Sequence, residues 1–84
     1  MKNSSRTMVS FADAQQFGLI IRKQRKHMGL RIDDAALLCG VSVALLSGLE
    51  NGSRPVGLPK ALRVAQQLGI VLFAEPRIVS DENA

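Results

Sequence analysis

The pattern of apolar positions near the start of the chain predicts a long amphipathic helix from Phe11 to Met28. Ser10 followed three residues later by Asp13 fits a capping box, in which each side chain satisfies a free backbone N–H at the helix start. Gly29 ends the helix, because only glycine adopts a left-handed backbone at little cost. The apolar residues that share one face are Phe17, Ile20, Ile21 and Met28.

Two short helices are predicted next, joined by a turn that contains Gly40. The first covers residues 31–39 and carries two aspartates in its first turn, where the helix dipole favours negative charge. Ser42 caps the second, which runs to Glu50 and stops before an Asn-Gly pair. This pair of helices with a tight turn predicts an all-α domain.

A fourth helix begins near Pro59, a residue suited to a first helical turn, and ends at Gly69. Its predicted apolar face consists of Leu58, Ala61, Leu62, Ala65 and Leu68. The segment that follows is short, apolar and rich in β-forming residues, which predicts a strand made of Ile70, Val71, Leu72, Phe73 and Ala74.

A single strand leaves an unpaired apolar edge, so we expect two chains to pair their strands across a two-fold axis. The alternative is that this segment packs as an extended tail on its own helices. The predicted fold is therefore a compact bundle of four to five helices with a short C-terminal strand. We expect a flexible arm over residues 1–9, one domain over 10–74 and a flexible tail over 75–84.

Composition narrows the class of protein. The 84 residues are 46% hydrophobic, which argues against disorder, and the absence of Trp and Tyr argues against stacking on single strands. No apolar run is long enough for a membrane span and no signal peptide is evident, so we expect a cytoplasmic protein. Cys39 is the single cysteine, and no Cys or His spacing predicts a metal site or a cofactor.

Charge is unevenly distributed along the chain. Residues 1–31 contain seven basic residues and one acidic residue, whereas residues 32–84 contain four basic and six acidic residues. A basic first half favours a polyanionic partner. The alternative is that the basic run from Arg22 to Lys26 is only the solvated face of the first helix.

The segment from Leu30 to Gly52, LRIDDAALLCGVSVALLSGLENG, combines these helices with the turn GVS and an ending apolar-Ser-x-Leu-Glu-x-Gly. It resembles the Xre/Cro-type helix-turn-helix family, and the continuation LPKALRVAQQLGIVLF is similar to its HipB-like branch. The resemblance implies the lambda-repressor-like fold and a recognition helix in the DNA major groove. In the HipB-like branch the last helix is followed by a strand that pairs between subunits.

The resemblance also implies roles for individual residues. The positions that face base edges are Val43, Ala44, Ser47 and Gly48. Asn51, Ser53 and Arg54 match the loop near phosphates. Ser42 and Arg31 are further expected phosphate contacts, although Arg31 departs from the family and would act by its charge alone. Lys60 matches a HipB-like position on the fourth helix, where it contacts phosphate or an acidic partner, or lies on a solvated helix face. Val43 and Ala44 cannot form bidentate hydrogen bonds but can pack on thymine methyl groups, and we expect Gly48 to let the DNA approach the backbone closely.

Three further features concern the packing of the third helix, the start of the second helix and a possible protein-binding surface. Arg25 and Glu50 match an ion pair that ties the first helix to the third. The resemblance implies Thr and Gln at the start of the second helix, where this chain has Arg31 and Ile32. Leu37 and Leu38 occupy positions that are usually charged, so they form a possible partner patch if both are exposed.

No enzymatic activity is predicted. His27 has no carboxylate partner nearby in sequence, and Asp33 and Asp34 point about 100° apart on a helix, so they do not form an acid–base pair.

We therefore expect a homodimeric repressor that binds a palindromic operator. The HipB-like resemblance implies repression of its own operon and a HipA-like kinase toxin as partner, although related proteins also act as stand-alone regulators. The alternative is an interaction module that restrains a partner and binds little specific DNA.

Overall fold

The structure is a computed structural model, and it describes residues 8–78. Within this range the chain forms four α-helices: α1 (Ala14–His27), α2 (Ile32–Cys39), α3 (Val43–Asn51) and α4 (Leu58–Gln67). Each corresponds to a predicted helix. Most of the predicted N-terminal arm and of the predicted C-terminal tail lies outside the described residues.

The start of α1 differs from the predicted one. Asp13, not Ser10, is the N-cap, and its carboxylate accepts a hydrogen bond of 2.8 Å from the Gln16 backbone N–H. The Gln16 side chain in turn accepts from the Ala12 N–H at 2.7 Å. Both Ser and Asp favour N-cap positions. The hydrogen bonds of Gln16 with Asp13 and Ala12 place the start of α1 about one turn later than an N-cap at Ser10 would.

The core receives side chains from all four helices. Its largest fully buried side chains are Ile21, Cys39, Leu46, Val64 and Leu68. Burial of a large aliphatic side chain contributes about 1.5–3 kcal/mol, so these positions hold the helices together. Met28 was predicted to face the core, but it lies at the C-terminal cap of α1 and is exposed.

The buried face of α4 also differs from the predicted face. Val64 is fully buried, whereas Leu58 and Leu62 are exposed. Ala61 and Ala65 are buried as predicted. The chain therefore buries the stripe through Val64, and the neighbouring stripe of Leu58 and Leu62 faces solvent in the single chain.

Residues 70–78 have no regular secondary structure, so the predicted strand does not form in this single chain. Ile70 and Leu72 are partly buried against the core, while Val71 and Phe73 are 73% and 67% exposed. This alternation is the one that a strand with one buried face shows. A strand also requires a partner for its backbone, and the described part of one chain supplies none.

Candidate nucleic-acid interface

Helices α2 and α3 are joined by a tight turn. The chain bends by 106° between them, within the range of helix-turn-helix motifs. Gly40 ends α2 with a left-handed backbone at φ +70°. The hydroxyl of Ser42 then accepts a 3.0 Å hydrogen bond from the Leu45 N–H, so the predicted cap of α3 forms.

A buried ion pair joins α1 to the C-terminal end of α3. Arg25 Nε donates to Glu50 Oε2 at 2.6 Å, and Arg25 Nη2 donates to Glu50 Oε1 at 3.0 Å. Arg25 Nη1 also donates to the Leu30 carbonyl at 2.9 Å. The hydrogen bond to Glu50 raises the pKa of Arg25 above its usual value. The pair thus has the structural role that the resemblance implies and fixes the orientation of α3.

Gly18 marks the closest approach of α1 to α3. A Cβ on Gly18 would lie 2.2 Å from the Leu49 carbonyl oxygen and 2.5 Å from that of Glu50. Such distances are far shorter than ordinary carbon–oxygen contacts. Gly18 is therefore required for the position of α3, and sequence analysis did not identify it.

The solvent-facing side of α3 contains four of the predicted DNA-contacting residues. Val43, Ala44 and Asn51 are exposed, and Ser47 is half-buried. The opposite side of α3 is buried through Leu46. This helix therefore presents a narrow, mostly apolar surface with few hydrogen-bonding groups.

Gly48 does not belong to this open surface. It is buried, and a Cβ at this position would lie 2.6 Å from the Cβ and 3.1 Å from the Cδ of Arg54. The aliphatic part of Arg54 thus covers the place where a side chain of residue 48 would be. Because Arg54 occupies that space, the expected close approach of DNA to the Gly48 backbone would require Arg54 to move.

Positive charge lies at the edge of α3. Ser53, Arg54 and Lys60 are exposed, and Arg54 and Lys60 line one shallow depression where α4 begins. Arg54 makes no ion pair within residues 8–78. Its guanidinium is therefore free to bind an anion.

Arg31 is placed differently from Arg54. It is the N-cap of α2 but forms no capping hydrogen bond, and its Nε lies 3.5 Å from Asp33 Oδ1. Both side chains are largely exposed, and such pairs contribute little to stability. The Asp33 carboxylate nevertheless offsets the positive charge that a phosphate contact at Arg31 would use.

The possible partner patch on α2 is accessible. Leu37 is 83% exposed and Leu38 is 47% exposed, so both leucines face outward in the single chain. Nearby, Arg63 of α4 places Nη1 3.6 Å from the position of a Cβ on Gly40. A cation there complements the dipole at the end of α2, which has no basic residue in its last turn.

Two other helix contacts were not predicted from the sequence. A Cβ on Gly52 would lie 2.8 Å from the Cα of Gln15, so α1 also crosses closely over the end of α3. Gln24 Nε2 donates to the Leu68 carbonyl at 2.8 Å and ties α1 to α4. A glycine inside a helical pattern, as at Gly18, is a signal of close packing, whereas nothing local distinguishes Gln24 from other helical glutamines.

Cys39 is a core residue. It is buried, and burial raises the pKa of its thiol, which keeps it protonated and unreactive at neutral pH.

In the described range no group of three His, Cys, Asp or Glu side chains could hold a metal ion. No single helix between residues 8 and 78 is long and apolar enough to cross a membrane, and only α2 and α3 together, despite their bend, reach the required length and composition.

A capped, exposed α3 beside α2, with cations at its edge, defines a helix-turn-helix protein of the DNA-binding class. A helix-turn-helix family model matches residues 21–73, and the chain belongs to this family, the Xre and lambda-repressor type of DNA-binding transcriptional regulator. No curated protein sequence matches the chain.

Among solved structures, the restriction-modification controller protein C.AhdI from Aeromonas hydrophila is similar. The two chains are 34% identical, and the match covers 73% of this chain and 92% of the controller protein with a TM-score of 0.65. The likeness therefore extends over nearly the whole controller fold.

Proposed function

We propose that this protein is a homodimeric repressor that inserts α3 into the major groove of a palindromic operator. The observation that carries the proposal is the exposed face of α3, which is capped by Ser42 and fixed from behind by the buried Arg25–Glu50 pair. A rigid helix with one free face is what groove binding requires. Half-sites should lie about one DNA turn, or a multiple of it, apart.

The proposed contacts divide into two groups. Val43, Ala44 and Ser47 face the bases, where the first two pack on thymine methyl groups. The groups proposed to contact phosphates are Arg31, Ser42, Asn51, Ser53, Arg54 and Lys60. These contacts set the affinity and orientation, while the few base contacts leave much of the specificity to the shape of the DNA.

The test is a titration of the purified protein against DNA from its own promoter and against scrambled DNA, at several salt concentrations. We expect tight binding to the promoter alone, with a log–log salt slope that corresponds to several phosphate contacts. Equal, weak and salt-sensitive binding to both DNAs would contradict sequence-specific repression.

The methyl contacts have their own test. Replacing single thymines of the operator by deoxyuridine removes only the C5 methyl group. We expect lower affinity at the thymines that face Val43 and Ala44, with an unchanged salt slope, because no phosphate contact is lost. The same replacement outside the half-sites is the control. Uniform tolerance of deoxyuridine in the half-sites would refute this mode of readout.

The dimer is proposed to form through residues 70–74. The alternating burial of this segment leaves Val71 and Phe73 exposed, and pairing with a second copy would cover them and satisfy the strand backbone. Phe73→Asp should shift sedimentation toward the monomer and weaken operator binding. Leu37→Asp, an equal change at another exposed apolar position, should leave the dimer intact. An unchanged dimer in Phe73→Asp would exclude this interface.

A role in a toxin–antitoxin operon rests on the HipB-like resemblance of α4 and the residues that follow it, LPKALRVAQQLGIVLF. In this proposal the repressor controls its own operon and binds a HipA-like kinase. Coexpression with a kinase gene from the same operon should give a stable complex. The likeness to C.AhdI favours instead a regulator of restriction–modification genes, in which case the bound promoter would lie upstream of those genes.

The exposure of Leu37 and Leu38 favours a second candidate, a module that restrains a protein partner and binds DNA weakly. Ser47→Glu separates the two functions, because a carboxylate on the groove-facing side of α3 repels DNA. A DNA-binding repressor should lose about tenfold or more in operator affinity, whereas an interaction module should keep its partner. Gln66→Glu, the same charge change on an exposed face of α4, is the control.

A further inference from the structure

The contact between Gly48 and Arg54 lies outside the cluster of hydrophobic core residues. Gly48 lies on the flank of α3 next to Ala44, one turn earlier on the same side of the helix. Three aliphatic carbons of Arg54 lie within 3.4 Å of the position that a Cβ on Gly48 would take. The stem of Arg54 thus lies directly on the backbone of α3.

This contact restricts a side chain that is otherwise free. Arg54 follows α3 in an irregular loop and makes no ion pair in the described part of the chain. A long side chain in such a position samples many rotamers, and it must lose that freedom when it binds an anion. A stem that is already packed on Gly48 has lost part of that freedom before binding.

We infer that Gly48 is a positioning residue, which seats the stem of Arg54 so that its guanidinium and Lys60 form a preorganised phosphate clamp beside α3. The inference rests on the proposed DNA binding. In effect Arg54 replaces the side chain that residue 48 lacks, and it brings a charge to a helix whose own exposed face has none. Lys60 completes the clamp because it lines the same depression.

A methyl group at residue 48 should displace Arg54. The nearest atom to the new Cβ is the Cβ of Arg54, which no rotamer change can move, so the loop backbone must shift. Gly48→Ala should therefore weaken operator binding although Arg54 is still present. Its log–log salt slope should fall by about 1 for each subunit, the same amount as in Arg54→Ala.

The experiment measures operator affinity and salt slope for wild type, Gly48→Ala, Arg54→Ala and the double variant. We expect the double variant to bind no more weakly than Arg54→Ala, because Gly48 acts only through Arg54. An independent loss from each substitution, or a Gly48→Ala protein with wild-type slope, would overturn the inference. Gln66→Ala, which also introduces alanine into a helix but at an exposed position of α4 outside the proposed DNA contacts, is the control for changes in helix propensity and should leave affinity and slope unchanged.

A second measurement does not depend on DNA. Nuclear Overhauser effects between the Gly48 α-protons and the Arg54 side-chain protons should be present in wild type and in Arg54→Met, which keeps an apolar stem without the charge. If these effects are absent in wild type, the contact between Gly48 and the Arg54 stem does not exist, and the inference fails even if Gly48→Ala does not fold. Their presence in a wild type that does not distinguish operator from scrambled DNA would refute repression while leaving the contact itself established.

Discussion

Replacing Gly18 by alanine tests whether close helix packing fixes α3. The new methyl carbon would lie 2.2 Å from the Leu49 carbonyl oxygen. Ordinary contacts between carbon and oxygen are about 3.3 Å, so α1 and α3 must separate by about 1 Å. The opposing atoms are backbone carbonyls, which cannot rotate away as a side chain would.

The expected cost follows from two opposing effects. Alanine favours a helix interior over glycine by about 1 kcal/mol. Overpacking of a close contact costs about 1–3 kcal/mol, and a shift of 1 Å also lengthens the hydrogen bonds between Arg25 and Glu50, whose complete loss would cost about 3–5 kcal/mol. We expect a net loss of about 2 kcal/mol or more, a large share of the stability of a small domain.

Chemical denaturation of Gly18→Ala and wild type, followed by circular dichroism, measures this loss. Gly57→Ala is a suitable control, because a Cβ there meets only the Pro59 ring at 3.8 Å and the backbone φ is −60°. The control should change the free energy of unfolding by about 1 kcal/mol or less. Equal or greater stability in Gly18→Ala would refute the argument that this glycine is required by the crossing of α1 and α3.

Three further substitutions test other parts of the structure. Glu50→Gln leaves the buried guanidinium of Arg25 without a counter-charge and should lower the free energy of unfolding by about 3 kcal/mol. A loss below about 1 kcal/mol in chemical denaturation would contradict a tightly buried pair. Gly52→Ala combines a strained left-handed backbone with a steric clash against Gln15, whereas Gly29→Ala has only the backbone strain of about 1–2 kcal/mol. Gly52→Ala should therefore lower the free energy of unfolding more than Gly29→Ala does. Equal losses would exclude the clash. Asp33→Asn should raise operator affinity by freeing the α2 N-cap arginine, and an equal gain in Asp34→Asn would show a general charge effect instead.

Local signals in the sequence were sufficient for the helix-turn-helix itself. Gly40 and Ser42 determine the turn and the start of α3 through their own backbone and side-chain chemistry, which requires no distant partner. The Arg25–Glu50 pair lies 25 residues apart and could be anticipated only through the family resemblance.

Features that depend on competition between similar residues could not be decided from the sequence. Ser10 and Asp13 are both good N-caps, and the choice of Asp13 depends on the reciprocal contact with Gln16. On α4 two adjacent apolar stripes compete for the core, and packing against the other helices selects the one through Val64. The strand predicted for residues 70–74 does not form in the single chain, because the described residues offer no partner for its backbone.

At both Gly18 and Gly48 the absence of a side chain lets another part of the chain lie directly on α3. At Gly18 the missing side chain lets α1 approach the backbone of α3, which fixes the helix in the domain. At Gly48 the missing side chain lets Arg54 lie on α3, which brings charge to a helix surface that is otherwise small and apolar. In the proposed DNA complex a helix of this composition would form few hydrogen bonds with bases, so its precise placement and the proposed phosphate contacts would supply most of the binding energy. Loss of either glycine should therefore impair DNA binding more than the modest size of a methyl group would indicate.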